Sequence, residues 1–166
     1  ESMANDRGEH GLSLLGEGDW NDALTGPGRN GKGETLMLSS TLVYALKLFL
    51  PWVRQRRDSK REKEIETIIA ELSSAVEEHG WKGDRYCRGY DDDGNPFGVE
   101  TDKDAQVWLN AQTWPILAGI ASPEHTRQAI NIVEKRLEHP EGLALIDPVF
   151  QSPNPRLGTI SVRNQG

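Results

Sequence analysis

Four segments of the chain carry apolar side chains at helical spacing, and long polar segments separate them. The first, from about residue 34 to 50, is apolar on nearly every side, which indicates a helix that is buried all round. Pro51 should end or kink this helix. The second follows Ser59-Lys60-Arg61-Glu62, the pattern of a capping box, and keeps one apolar stripe until Gly80. It predicts an amphipathic helix whose charged face meets water.

The other two apolar segments lie in the second half of the chain. Residues 104–121 predict a mostly buried helix that Pro115 kinks or divides. Ser122-Pro123-Glu124 is typical of a helix start, with a cap residue followed by proline at the first helical position. The buried stripe of that last helix should consist of Ile130, Val133 and Leu137. The pattern therefore predicts an all-α protein of about four helices joined by long loops.

Composition and charge narrow the choice of partner. The net charge of −7 and the pI near 5.1 argue against nucleic acid or an anionic membrane surface. Neighbouring acidic residues balance the positive charge of the basic run at 54–61, which favours a solvated helix junction. The single cysteine, Cys87, excludes an intramolecular disulfide and a cysteine-based metal site. No apolar run is expected to be long enough to span a bilayer.

The candidate chemistry is concentrated in the glycine-rich stretch from Gly16 to Glu34. Asp19-Trp20-Asn21-Asp22 places two carboxylates, an indole and a carboxamide in four residues. Carboxylates transfer protons, amides hold hydroxyl groups, and an indole face stacks on the apolar face of a pyranose. This composition indicates a sugar site. The alternative is a plain turn, because Asp, Asn and Gly are also the commonest turn formers.

A second acidic stretch, Asp91-Asp92-Asp93-Gly94-Asn95-Pro96, invites comparison with a calcium loop. The EF-hand pattern requires glycine at the sixth position, where Pro96 stands. A tight acidic turn is therefore favoured, and no metal is expected.

The Asp-Trp-Asn-Asp run, followed by a glycine-rich turn and Lys32-Gly33-Glu34, resembles the glycoside phosphorylases of glycoside hydrolase family 94. A second block resembles the family's downstream segment in the same order: 91–98, then Leu109-Asn110-Ala111-Gln112-Thr113-Trp114 and Gly119. The resemblance covers roughly residues 8–166. It implies an (α/α)6 toroid, a double ring of helices, of which residues 1–166 would be an interior part. The low hydrophobic fraction of 36% agrees with such a part.

The resemblance also implies an activity and its residues. The family cleaves β-linked disaccharides or oligosaccharides by inverting phosphorolysis, with inorganic phosphate as co-substrate and no cofactor. By position, Asp22 would be the general acid and Trp20 and Asn21 would line the donor-sugar subsite. The other expected substrate-binding residues are Asp19, Gln112 and Arg163. The phosphate ligands would come from the rest of the parent chain, which is expected to be a cytoplasmic homodimer.

Arg156, Arg163 and Asp19 have further expected roles. Arg156 and Arg163 either touch the acceptor sugar or are ordinary loop residues. Asp19, three residues from Asp22, would help to keep the acid protonated by repulsion.

Two other functions stay open at this stage. One is an inverting glycoside hydrolase, in which Asp19 or another acid activates water; dependence on phosphate separates it from a phosphorylase. The other is a non-catalytic carbohydrate-binding or scaffold segment, in which Asp22 is only a turn residue.

Overall fold

The structure is a computed structural model and describes residues 6–163. Residues 1–5 and 164–166, which belong to the predicted domain, lie outside the described part. The helices are α1 (Leu36–Gln55), α2 (Ser59–Gly80), α3 (Leu109–Leu117), α4 (Pro123–Leu137) and the short α5 (Ile160–Arg163). α1 packs against α2 and α3, and α3 packs against α4.

Two-residue strands accompany these helices, so the prediction of an all-α fold is not confirmed. The strands are β1 (Ser13–Leu14), β2 (Glu34–Thr35), β3 (Trp81–Lys82), β4 (Arg85–Tyr86), β5 (Gly89–Tyr90), β6 (Pro96–Phe97), β7 (Val107–Trp108), β8 (Glu138–His139), β9 (Gly142–Leu143) and β10 (Ile146–Asp147). They pair into small antiparallel sheets between the helices. Ladders of two residues are too short to leave an alternating pattern in the sequence.

Helix α1 differs from its prediction in length and in burial. It continues through Pro51 to Gln55, so the proline does not end it. Leu48 and Trp52 are 59% and 66% exposed, and Phe49 beside them is exposed as well. The helix is therefore buried on one face only, because its neighbours within the described residues cover only that face.

The expectation that no segment is apolar enough to cross a bilayer is wrong on length and composition. Over an 18-residue window, α1 reaches a mean hydropathy of 1.5. Core helices of soluble proteins meet the same criterion, and 39% of this window is already buried inside the protein.

The remaining helices follow their predictions with local changes. The cap of α2 is Asp58, whose Oδ1 accepts the Arg61 N–H at 3.0 Å, so the helix starts one residue before the predicted capping box places it. Ser122 caps α4 as predicted, with Oγ accepting the His125 N–H at 3.1 Å. The buried positions of α4 are Ala129, Ile132 and Leu137. Leu137 is buried as predicted. Ile130 is exposed, and the buried positions before Leu137 lie one residue earlier than predicted.

Other local predictions have clear outcomes. α3 is shorter than predicted, because residues 107–108 form a strand, and Pro115 lies inside the helix without dividing it. The basic junction is confirmed, since Arg54 pairs with Glu62 and Glu66 at the surface.

The central sheet, with strand order β1-β2-β5-β6, positions the glycine-rich stretch. β1 and β2 pair directly, with Ser13 opposite Thr35, so residues 15–33 leave the sheet and return to the same pair of strands. Leu15, Ala23 and Leu24 on this loop are buried in one apolar cluster with Phe97 and Trp108. The loop is therefore part of the core and has a defined path.

A tight turn at 91–94 fastens the far side of this loop. The Gly94 N–H bonds the Asp91 carbonyl at 2.9 Å, as the predicted acidic turn requires. The Asp92 carboxylate then accepts the backbone N–H groups of Asn30, Lys32 and Gly33 at 2.7–3.0 Å. Among residues 6–163, no group of three or more His, Cys, Asp and Glu side chains could hold a metal ion.

Candidate active site

Asp19 is the buried start of the Asp-Trp-Asn-Asp turn. Its side chain is fully buried and forms an ion pair with the equally buried Arg88. Asp19 Oδ2 also accepts the Thr35 hydroxyl at 2.9 Å, and Oδ1 accepts the Asn21 N–H at 3.0 Å. The carboxylate is therefore used inside the protein.

The next three residues turn outward into a cavity of about 270 Å³. Trp20 is 57% exposed, and Asp22 is exposed beside it. Asn21 Oδ1 accepts the Ala23 N–H at 3.2 Å, which closes the turn. Asp22 has no ion pair or side-chain hydrogen bond within residues 6–163, so its carboxylate is free to meet a ligand.

The cavity brings together residues that are far apart in the sequence. Its walls consist of Trp20, Asn21, Asp22, Ala23, Trp108, Asn110, Leu145, Ile146, Ile160 and Arg163. β7 and β10 pair Trp108 with Ile146, which forms one wall. The Ala23 carbonyl accepts the Ile160 N–H at 2.7 Å and so ties α5, which carries Arg163, to the Asp-Trp-Asn-Asp turn. An apolar cavity with a few converging polar groups is the usual form of a ligand site.

Trp108 and Asn110 are wall residues that the sequence analysis did not select. Trp108 is buried, and its Nε1 donates to the Ala105 carbonyl at 2.7 Å. Asn110 Oδ1 is a buried acceptor without a hydrogen-bond partner among the described residues. Asn110 lies in the second family-like block, two residues before Gln112, and this was the signal that could have indicated it.

Two predicted substrate-binding residues point into the protein. Gln112 is fully buried; its Oε1 accepts the Tyr86 N–H at 2.9 Å and its Nε2 donates to the Tyr86 carbonyl at 2.8 Å. It therefore fastens α3 to β4 and lies outside the cavity wall. Asp19 is likewise outside the wall, and its carboxylate is paired with Arg88.

Of the two alternatives for Arg156, the structure favours a loop residue with partners inside the protein. Arg156 is partly buried: Nε donates to Asp91 at 2.5 Å, Nη1 to Asp102 at 3.3 Å and Nη2 to the Pro96 carbonyl at 2.7 Å. It joins the 153–159 loop to the acidic turn. The Nδ1 atoms of His10 and His125 lie 2.5 and 2.9 Å from carboxylates of Glu34 and Glu77.

A larger cavity of about 530 Å³ lies on the other side of the loop. Its walls are strongly charged and include Lys32, Glu34 and 91–93. Glu34 accepts the backbone N–H groups of His10 and Leu12 at 3.1 Å, and Asp92 holds the loop as described above. These carboxylates maintain the fold, so the smaller cavity is the better candidate for chemistry.

The buried thiol of Cys87 and the phenol of Tyr86 are unreactive. Burial raises the pKa of Cys87 to about 12, so the thiolate is scarce at neutral pH. Burial and the hydrogen bond to Glu77 raise the pKa of Tyr86 well above its usual value. Neither group is available for proton transfer at neutral pH, and neither lines the cavity that contains Asp22.

Comparison with known proteins identifies the family of the chain. The family described as Glycosyl hydrolase 94 superfamily, catalytic domain, matches residues 1–166. The chain is 41% identical over 164 residues to the 3-O-beta-D-glucopyranosyl-beta-D-glucuronide phosphorylase of Paenibacillus borealis. It is 34% identical over 157 residues to the solabiose phosphorylase of the same organism. It is 37% identical over 134 residues to the cyclic beta-(1,2)-glucan synthase NdvB of Rhizobium meliloti.

These matches differ in how much of each protein they include. They cover 99%, 94% and 81% of this chain, but only 21%, 20% and 5% of the three relatives. The chain thus spans about a fifth of the length of the two phosphorylases that it matches.

Proposed function

Because the chain belongs to the glycosyl hydrolase 94 superfamily, we propose that the intact protein is an inverting glycoside phosphorylase. Its substrates would be a β-linked disaccharide or oligosaccharide and inorganic phosphate. Its products would be an α-sugar 1-phosphate and a shortened saccharide. The main support is the free carboxylate of Asp22 in the cavity wall, beside the exposed indole of Trp20.

The proposed reaction needs one protein acid. Asp22 gives its proton to the glycosidic oxygen while the bond from that oxygen to the anomeric carbon breaks, and the bonding electrons stay on the oxygen. A phosphate oxygen bonds to the anomeric carbon from the opposite face, which converts the β-glycoside into an α-phosphate. Since phosphate is already an anion, no protein base has to activate it.

Asp22 must carry a proton when the substrate is bound. Asp19 is paired with Arg88, so its carboxylate is engaged inside the protein.

The other wall residues receive binding roles. The Trp20 indole would stack on the sugar ring. The Asn21 side-chain amide nitrogen, Nδ2, which is not used in the turn, would donate to a hydroxyl. Arg163 would contact the acceptor sugar at the edge of the cavity. The phosphate ligands and the remaining helices of a double ring would come from parts of the protein outside this chain.

An assay with and without phosphate tests the proposed function. The intact protein is incubated with cellobiose, cellobionic acid, laminaribiose, chitobiose, solabiose and 3-O-β-glucopyranosyl-glucuronide. We expect one of them to give an α-sugar 1-phosphate only when phosphate is present. Free monosaccharide formed equally without phosphate would show a hydrolase instead.

Substitution of the proposed acid gives the second part of the test. We expect Asp22→Asn to lower kcat by about 10²–10⁴-fold, because the acid acts in every turnover. Asp93→Asn, at another exposed aspartate, is the matched control and should leave kcat unchanged. If Asp22→Asn retained full activity, Asp22 would be only a turn residue.

A further inference from the structure

Arg88, Asp19 and Thr35 form a closed set of polar contacts behind the cavity, here called the Arg88 clamp. Arg88 Nη2 donates to Asp19 Oδ2, and Nη1 donates to Thr35 Oγ1 at 2.9 Å. The Thr35 hydroxyl in turn donates to Asp19 Oδ2 at 2.9 Å. All three residues are shielded from solvent, and the side chains of Arg88 and Asp19 are fully buried.

Stability alone gives a weak reason for such a clamp. Removing two charges from water is costly, and well-packed apolar residues often replace a buried ion pair with no loss of stability. A buried pair does, however, fix one arrangement of the groups around it, because any other arrangement leaves a charge unpaired. The informative question is therefore which part of the molecule the clamp fixes.

The clamp fixes the turn that carries Asp22. Asp19 Oδ1 accepts the Asn21 N–H at 3.0 Å, and Asn21 Oδ1 accepts the Ala23 N–H at 3.2 Å. Two successive side-chain-to-backbone bonds thus define the path from 19 to 23, with Asp22 between them. The first bond starts at the carboxylate that Arg88 holds.

The same guanidinium also contacts the cavity wall. The Arg88 guanidinium carbon lies 5.5 Å from the centroid of the Trp108 ring, within the range of a cation–π contact. Next to this contact, Gly98 has a φ of +75°. A Cβ at this position would lie 2.8 Å from both the backbone nitrogen of Arg88 and the Trp108 ring. Position 98 therefore requires glycine, because a side chain there would collide with the Arg88 backbone and with the Trp108 ring.

We propose that Arg88 is a positioning residue for the general acid, acting through Asp19 to hold the Asp22 carboxyl where the leaving oxygen must be. This inference rests on the proposed function. A misplacement of about 1 Å can cost 10²-fold in rate, so the effect of loosening the clamp is measurable.

The test compares two donors that differ in their need for a proton. A disaccharide leaves through a basic sugar oxygen and requires the acid. A β-glycosyl fluoride of the same sugar releases fluoride, which is far less basic and needs little protonation. Arg88→Lys keeps the charge but removes the planar guanidinium, whose two terminal nitrogens donate to Thr35 and Asp19.

We expect Arg88→Lys in the intact protein to lower kcat about 100-fold with the disaccharide and less than about 5-fold with the fluoride. The KM for phosphate should stay the same. Asp22→Asn should give the same contrast, with a larger loss. Arg85→Lys is the matched control, because Arg85 is also buried and paired but binds Asp84 outside the cavity, and it should leave the ratio of the two rates unchanged.

The outcomes separate this inference from the proposed function. Equal losses with both donors, or no loss with either, would overturn the positioning role while the phosphorylase stands. Absence of sugar 1-phosphate with the unaltered protein would overturn the proposed function, and the inference with it. If Arg88→Lys fails to fold, Asp19→Asn is measured with the same two donors and must show the same contrast.

Discussion

Asn110 presents a buried amide oxygen at the cavity wall, with no hydrogen-bond partner among residues 6–163. A buried acceptor left unpaired costs free energy, and a sugar hydroxyl in the cavity would satisfy it. We expect Asn110→Ala to raise the KM for the saccharide about 3- to 10-fold, which corresponds to one neutral hydrogen bond. The measurement is a saccharide titration at saturating phosphate.

Asn131→Ala, at an exposed position of α4, is the control for this change and should leave KM unaltered. An unchanged KM for Asn110→Ala, together with a raised melting temperature, would show that the amide is an internal polar group without a ligand.

Residues that act together were predictable from the sequence only where they are adjacent. Trp20, Asn21 and Asp22 form one short run, and the structure places all three at the cavity. Asp19 belongs to the same run, but its partner Arg88 is 69 residues away. No local pattern encodes such a pairing, so the sequence could not show that Asp19 points inward.

Asp92 connects two elements, the acidic turn and the glycine-rich loop. Burial raises its pKa, but three backbone N–H bonds and the charge of Lys32 outweigh this effect and hold the pKa below its usual value. A carboxyl with a lowered pKa stabilises the fold at pH values above its ordinary pKa of about 3.9. That stabilisation is lost as the pH falls through the lower pKa of the folded state.

We therefore expect Asp92→Asn to reduce the free energy of unfolding by about 1 kcal/mol near neutral pH, because the amide accepts the loop N–H groups less well. The difference should shrink below about pH 4. Denaturant titrations across this pH range measure it. Asp93→Asn is the neighbouring control, and a difference between Asp92→Asn and the unaltered protein that persists at pH 2 would contradict the electrostatic origin.

At the scale of elements, periodicity predicted helices well and their ends less well. The predicted start of α4 and the end of α2 at Gly80 agree with the structure. Pro51 misled because a proline near a helix end removes one backbone bond that the rest of a long helix tolerates. The strands could not be predicted, since each ladder has only two residues, and pairs such as β7–β10 and β2–β5 join segments far apart in the sequence.

At the scale of the molecule, the chain spans about a fifth of the phosphorylases that it matches. The described residues cover only one face of helix α1, and a protein as long as these relatives has further residues that could cover the other face. Leu48, Phe49 and Trp52 are large apolar residues exposed close together on one helix, and such a grouping is typical of a contact surface. Sequence periodicity predicted a helix buried all round, and the described residues supply only one side of that burial.

We expect the exposed face of α1 to be covered by other helices in the intact protein. Leu48→Glu should then place a charge in an apolar contact and lower the free energy of unfolding by about 2 kcal/mol or more. Thr67→Glu adds the same charge to the exposed face of α2 and should change stability by less than about 0.5 kcal/mol. Thermal and denaturant unfolding of both variants measures the contrast. Equal, small effects would mean that Leu48 stays in water in the intact protein, and a double ring closed over α1 would then be the wrong architecture.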